Sequence, residues 1–524
     1  MSMSRSFTQH LLVAFWALFF IAAHSSLSAQ EWHDKLRAVM NEPTYEQAHW
    51  GILVADLADG QVLFEHNPKK FFAPASTTKL YSVAAAMDEL GADYRFETPI
   101  YRRGEVDAEG HLQGDLILVA SGDLTLGGRT DADGRIEFTS SDHTYANGGT
   151  AGKLSAANPL AGLQELAKQV AAGGIKSVRG NVLIDDRLFE RASSTGSGPE
   201  TVSPLCINDN VVDVIVAPAA EVGRLATFDS RPQSSLFQID CQVETAAEGT
   251  ATDISIRWGG PGRIVVRGTI PLGHSPVVRI ADWSDPEFVG RGLLIEELQR
   301  AGIRIHASPF EVPAVTELPA AEWYASAPVV AMLISPPFKE NAKLILKVSH
   351  NLHASTLPLL LAARHGERTL EAGLKREGAF LQRIGIDINT ISFGGGAGGS
   401  RSDFVTPDAT VRLLRYMATT PLNSDYQEAL PILGVDGTLR TVVDADSPAK
   451  GQVRAKTGTY FLDNGLNGKW ILTSKALAGY IDAASGRKIV FAAFVNGTFL
   501  ETADQTSREG RTLGRVAEII QQGL

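Results

Sequence analysis

The chain has 524 residues and 44% hydrophobic content, enough for a large core, so neither a disordered chain nor a disulfide-dependent mini-fold fits. At about 150 residues per domain the length suggests roughly three domains. With 48 Lys+Arg against 59 Asp+Glu the formal net charge is −11, which speaks against a nucleic-acid or anionic-membrane partner.

Residues 1–29 read as an export signal rather than as part of the fold. One cation, Arg5, precedes the apolar run Leu11–Ala23, shorter than the roughly 20 residues of a spanning helix. Ser25, Ser26, Ser28 and Ala29 then offer a cleavage site; the alternative is an N-terminal anchor. The expected mature protein is periplasmic, with no stable membrane span. Cys206 and Cys241 are the two cysteines. They either pair in an oxidising compartment or remain buried thiols, and they cannot form a thiolate metal site alone. No metal and no cofactor is expected.

In chain order, alternation and the turn residues Asp59-Gly60 predict a hairpin over Glu46–Phe64. A helix follows from Leu80 to Leu90, closed by Gly91. From about 101 to 317 the texture is β-rich, with strands at Leu116–Ala120, Val178–Ile184, Val211–Ala217 and Ile264–Ile270. Two helices, Leu160–Ala172 and Phe288–Ala301, interrupt it, and Ser193–Gly198 reads as a loop. Longer helices come next, at Asn351–Arg364, Leu370–Arg383 and Pro407–Ala418. Strands at Val453–Thr459, Leu477–Ile481 and Ile489–Val495 precede a last helix near Ser507–Gln521. The pattern is α+β, with a β-rich insertion splitting a helix-and-sheet domain.

Three strings carry chemistry. Ser76-Thr-Thr-Lys79 opens a helix, so the hydroxyl and the amine share one face. A serine needs an adjacent base, and a lysine serves if burial and a second cation lower its pKa. Ser349-His-Asn351 offers a hydroxyl that relays a proton and an amide that holds a carbonyl. Lys456-Thr457-Gly458-Thr459 follows a strand and supplies a second cation, a hydroxyl for a carboxylate and a glycine for close backbone approach. Without further context, each also reads as a helix cap or a turn.

In this order the strings resemble the signature of penicillin-binding proteins and serine β-lactamases. The separation 349 − 76 = 273 positions narrows the resemblance to the S13 peptidase family, the class C D-alanyl-D-alanine carboxypeptidases/endopeptidases of the penicillin-binding-protein-4 type. Ser121-Gly-Asp-Leu-Thr-Leu126, Gly180-Asn-Val-Leu-Ile-Asp185, Leu205–Val211, Leu433–Leu439 and Leu477-Ala-Gly-Tyr480 are similar to family strings. The resemblance implies a catalytic domain with an antiparallel sheet and helices, over 30–100 and 318–524. It implies one inserted domain over 101–192 and 275–317 and another over 193–274.

It also implies roles. Ser76 would be the nucleophile and Lys79 its base; Ser349, Asn351 and Lys456 would complete the catalytic set. Thr457, Gly458 and Thr459 would bind substrate, with the N–H groups of Ser76 and Thr459 as oxyanion hole. Asp185 with Phe189 would read the diamino-acid side chain, with Asp186 as rival, and Arg401 would lie near the substrate. The implied activity is DD-carboxypeptidase or DD-endopeptidase on peptidoglycan stem peptides and cross-links, with β-lactams as covalent inhibitors. Two alternatives are a cell-wall peptide-binding scaffold and a β-lactamase or esterase. The sequence departs from the family at His350, where Asp is usual, and at Ser355, where Glu is common. It departs again in the loop Gly395–Arg401 and in the longer Tyr460–Ala476 stretch, which would overhang the cleft.

Overall fold

The structure is a computed structural model that describes residues 30–148 and 152–524. The expected export signal at 1–29 lies outside the described residues.

The sheet that bears the Lys-Thr-Gly string has the antiparallel order 453–464, 469–482, 488–496, 49–56, 62–66. The inner strand His49–Asp56 is buried on both faces because alternate side chains enter different cores. Leu53 and Ala55 join a core with the helices Lys79–Leu90 and Pro407–Thr419. Ile52 and Val54 join a second core with Trp32, Leu36 and the C-terminal helix Thr506–Gly523. Val453–Asn464 is left at the edge, with its first residues covered by backbone hydrogen bonds to Pro431 and Leu433.

Among the described residues the insertion holds four further sheets, the smallest being the short pair 192–193 and 201–202. The largest runs 304–305, 177–178, 111–119, 97–106, 329–334, with 182–185 parallel to 111–119. A second has the order 227–231, 211–217, 277–282, and a third 238–246, 263–271, 253–260. These pairings cross the expected limits. Val329–Ile334 pairs with Glu97–Val106, beyond position 318, and Val277–Asp282 pairs with Val211–Ala217, beyond 274. Cys206 and Cys241 are both free thiols, one buried and one half-buried, which settles the pairing in favour of thiols.

The expected helices Asn351–Arg364 and Leu370–Arg383 appear with those bounds. In the Tyr460–Ala476 stretch Phe461 pairs with Leu472 and Asn464 with Lys469, so it lengthens the edge hairpin. The helix Phe338–Lys347 was not anticipated.

Candidate active site

Ser76 sits in the short turn Ala75–Thr78 that runs into the helix Lys79–Leu90. The preceding Ala75 has φ +46°, a conformation costly for a residue with a Cβ, and the surrounding packing holds it there. The glycine-rich loop does much of that packing. A Cβ on Gly398 would lie 1.9 Å from the Ala75 carbonyl oxygen, and one on Gly458 would lie 2.5 Å from that of Pro74. Both glycines are therefore demanded by close approach to the serine turn.

Lys79 is fully buried, with Nζ 2.9 Å from Ser76 Oγ. It also donates to Asn351 Oδ1 at 2.7 Å and to the Ala397 carbonyl at 2.7 Å. Burial pushes its pKa well below that of an ordinary lysine; Lys456 adds to this and Asp403 opposes it. A neutral amine has two N–H groups and one lone pair. The two oxygens of Asn351 and Ala397 can accept only, so they take both N–H groups and the lone pair is left facing Ser76.

Lys456 reaches from the edge strand to Ser349 Oγ at 3.0 Å and to the Thr457 carbonyl at 2.9 Å. Burial lowers it to about 7. Ser349 adopts φ +67°. Its conformation is braced by Tyr145, whose hydroxyl donates to the Ser349 carbonyl at 2.7 Å and accepts from the Asn351 N–H at 3.0 Å. The Asn351 amide donates to the Ser197 carbonyl at 2.8 Å. On the other side Thr457 Oγ1 donates to Thr438 Oγ1 at 2.8 Å. Thr438 follows Asp436, whose carboxylate pairs with Lys347 at 2.6 Å.

One cavity of about 500 Å³ joins these groups, with Ser76, Tyr145, Ser197, Ser349, Asn351, Thr438, Thr457, Thr459 and Lys475 in its wall. Lys79, Lys456 and Gly458 lie buried behind it. Asp185, Phe189 and Arg401 are not in the wall. The Asp185 carboxylate is engaged by Arg187 at 2.7 Å and by the Tyr324 hydroxyl at 2.7 Å. Phe189 is buried in the core that includes Leu124 and Leu360, and Arg401 is exposed in the loop.

Sequence reasoning did not single out Tyr145, Ser197, Ala397 or Lys475. The first two come from the insertion, and nothing local marks them. Lys475 did leave a trace, as a lysine directly before the apolar run Ala476-Leu-Ala-Gly-Tyr-Ile481.

His350 and His353 are fully buried, and their rings stack 3.8 Å apart. They pack on a charged cluster from the insertion. Arg129 makes a bidentate pair with Asp142 at 2.8 and 3.0 Å and also holds Asp209. His143 bridges Asp213 at 2.6 Å and Asp209 at 2.8 Å, and His353 Nε2 meets Asp209 at 2.7 Å. The cluster fastens the turn that carries Tyr145 to the helix that begins at Asn351.

A serine beside one buried lysine, faced by a Ser-x-Asn turn and a Lys-Thr-Gly edge strand, defines a serine peptidase with the penicillin-binding-protein architecture. Comparison with known proteins agrees. The chain matches the model of the D-Ala-D-Ala carboxypeptidase 3 (S13) family over residues 32–518, and it belongs to that family. The D-alanyl-D-alanine carboxypeptidase of Actinomadura sp. (strain R39) is 28% identical over 499 residues, covering 91% of this chain and 83% of that protein. The D-alanyl-D-alanine carboxypeptidase DacB of Haemophilus influenzae is 24% identical over 487 residues, covering 89% and 88%. The crystal structure of penicillin binding protein 4 from Haemophilus influenzae shares the fold, with a TM-score of 0.67, 21% identity, and coverage of 91% of this chain and 97% of that one.

Proposed function

We propose that this serine peptidase is a D-Ala-D-Ala carboxypeptidase and DD-endopeptidase that acts on peptidoglycan stem peptides and cross-links through an acyl-enzyme on Ser76. The observation that carries this reading is the pairing of Ser76 Oγ with a buried lysine whose two N–H groups are already taken. As Oγ attacks the penultimate D-alanine carbonyl, Lys79 Nζ accepts its proton. The carbonyl oxygen becomes an oxyanion facing the N–H groups of Ser76 and Thr459. Collapse breaks the C–N bond; the Ser349 hydroxyl, beside Lys456, gives its proton to the leaving nitrogen and is reprotonated by the proton that Lys79 took, so that the amine is neutral and the hydroxyl restored before deacylation. Water then attacks the ester, Lys79 takes its proton, and Ser76 departs with a proton restored.

A terminal D-alanine as leaving group makes the reaction a carboxypeptidase step; a cross-linking diamino acid makes it an endopeptidase step. β-Lactams would acylate the same hydroxyl. No described helix is long and apolar enough to cross a membrane, which accords with action in the periplasm after export. The diamino-acid side chain would be read at Asp185 and Phe189 only if substrate displaces Arg187 from that carboxylate.

Labelled penicillin is expected to attach covalently to the parent and not to Ser76→Ala, with mass spectrometry showing D-alanine release from monomeric muropeptides. Equal labelling of the alanine variant would sink the assignment.

A further inference from the structure

Among the described residues, Lys475 is the one basic side chain in the wall of the catalytic cavity. It is 8% exposed, on the strand next to the edge strand, and it pairs in register with Thr459. Its Nζ donates to Thr459 Oγ1 at 2.9 Å and to the Thr506 carbonyl at 2.9 Å. An ammonium has three N–H groups, so one remains. Among the described residues no carboxylate pairs with it. Glu509, the nearest acid to influence it, is engaged by Arg508 at 2.8 Å and by the Tyr45 hydroxyl. The single carboxylate among the described residues of the cavity wall, Asp142, is held by Arg129. A desolvated cation with no counter-ion is costly unless a ligand brings the charge.

The mechanism fixes which part of a substrate faces it. The leaving nitrogen must lie between Ser76 and Ser349, so the carbon it is bonded to faces the Thr457–Thr438 side. Thr457 and Thr459 are two residues apart on one face of the edge strand, about 7 Å along it. Their hydroxyls carry no charge, and Lys475 flanks them. We propose that Lys475 makes this wall a carboxylate-binding subsite that holds the free carboxylate on the leaving half of the substrate. The inference rests on the peptidase reading and adds to it the group that selects an acid over an uncharged terminus.

The test uses the full mature chain and two acylated peptides ending in D-Ala-D-Ala, one a free acid and the other its C-terminal amide. Release of D-alanine or its amide is followed by mass spectrometry. The parent is expected to prefer the acid. Lys475→Met is expected to lower the acid-to-amide ratio of kcat/KM roughly ten- to hundredfold, the worth of a hydrogen bond to a charged group. Lys475→Arg should keep most of the preference. Lys475→Gln can still bond Thr459 and Thr506, so it serves if the methionine variant melts early, and it should lose the preference too. An unchanged ratio in the neutral variants overturns the subsite alone. A parent that cleaves neither peptide and is not acylated by penicillin overturns the peptidase reading, and the subsite with it.

Discussion

The Tyr145 hydroxyl donates a 2.7 Å hydrogen bond to the carbonyl of Ser349 and accepts one from the N–H two residues on. A side chain from the insertion thus holds the backbone of the Ser-x-Asn turn. Tyr145→Phe removes one atom, keeps the ring in place, and leaves a strained Ser349 without its brace. It should slow penicillin acylation by about tenfold and cost about 1–2 kcal/mol of stability. Stopped-flow labelling together with a thermal melt decides it; an acylation rate equal to the parent's would show the brace to be idle.

Lys456 couples activity to stability with opposite signs. Unfolded, it is protonated below about 10.5; folded, burial lowers it to about 7. The fold therefore carries a penalty that is complete below pH 7 and gone above 10.5, on the order of a few kcal/mol. Lys456→Met should abolish muropeptide hydrolysis, yet melt at or above the parent at pH 6.5, with that advantage shrinking towards pH 10. A variant that melts much lower at pH 6.5 would contradict the buried-cation penalty.

His143 behaves in the reverse way. Burial alone would discharge it, but the Asp213 and Asp142 carboxylates outweigh burial and raise it to about 10. A raised folded pKa contributes stability that is present in full below about 6.5 and is lost as pH rises through 10. His143→Gln should therefore cost about 3 kcal/mol at pH 6 and much less at pH 10. Equal losses at both values in urea titrations would count against a charged His143.

Gly398 tests the contact between the loop and the serine turn. With φ +89° and the Ala75 oxygen 1.9 Å from any Cβ, Gly398→Ala cannot fit without moving Ser76. Stability should fall by about 2–4 kcal/mol and acylation by at least a hundredfold. Near-normal labelling by penicillin would mean that the loop yields instead.

Some parts of the fold were legible from local pattern. The helices at 351–364 and 370–383 and the strand at 211–217 end where apolar periodicity and turn residues place them. Others were not. The pairing of 329–334 with 97–106 joins segments more than two hundred positions apart, and no residue in either names its partner. The length of the Tyr460–Ala476 stretch is visible in the sequence, but its pairing as a hairpin, Phe461 with Leu472 and Asn464 with Lys469, is set by the sheet it extends.

The sequence by itself determined the reactive groups: the Ser76–Lys79 spacing puts a hydroxyl and an amine on one helical turn, a geometry that covalent structure and helix pitch impose locally. Only the tertiary structure decided what those groups can do. Burial and Lys456 hold the Lys79 pKa well below that of an ordinary lysine, and Ala397 and Asn351, some three hundred positions away, take its N–H groups. Lys475 faces the cavity because a strand register puts it opposite Thr459. The reason is that desolvation and hydrogen bonding depend on what packs around a group, and those neighbours are set by long-range contacts.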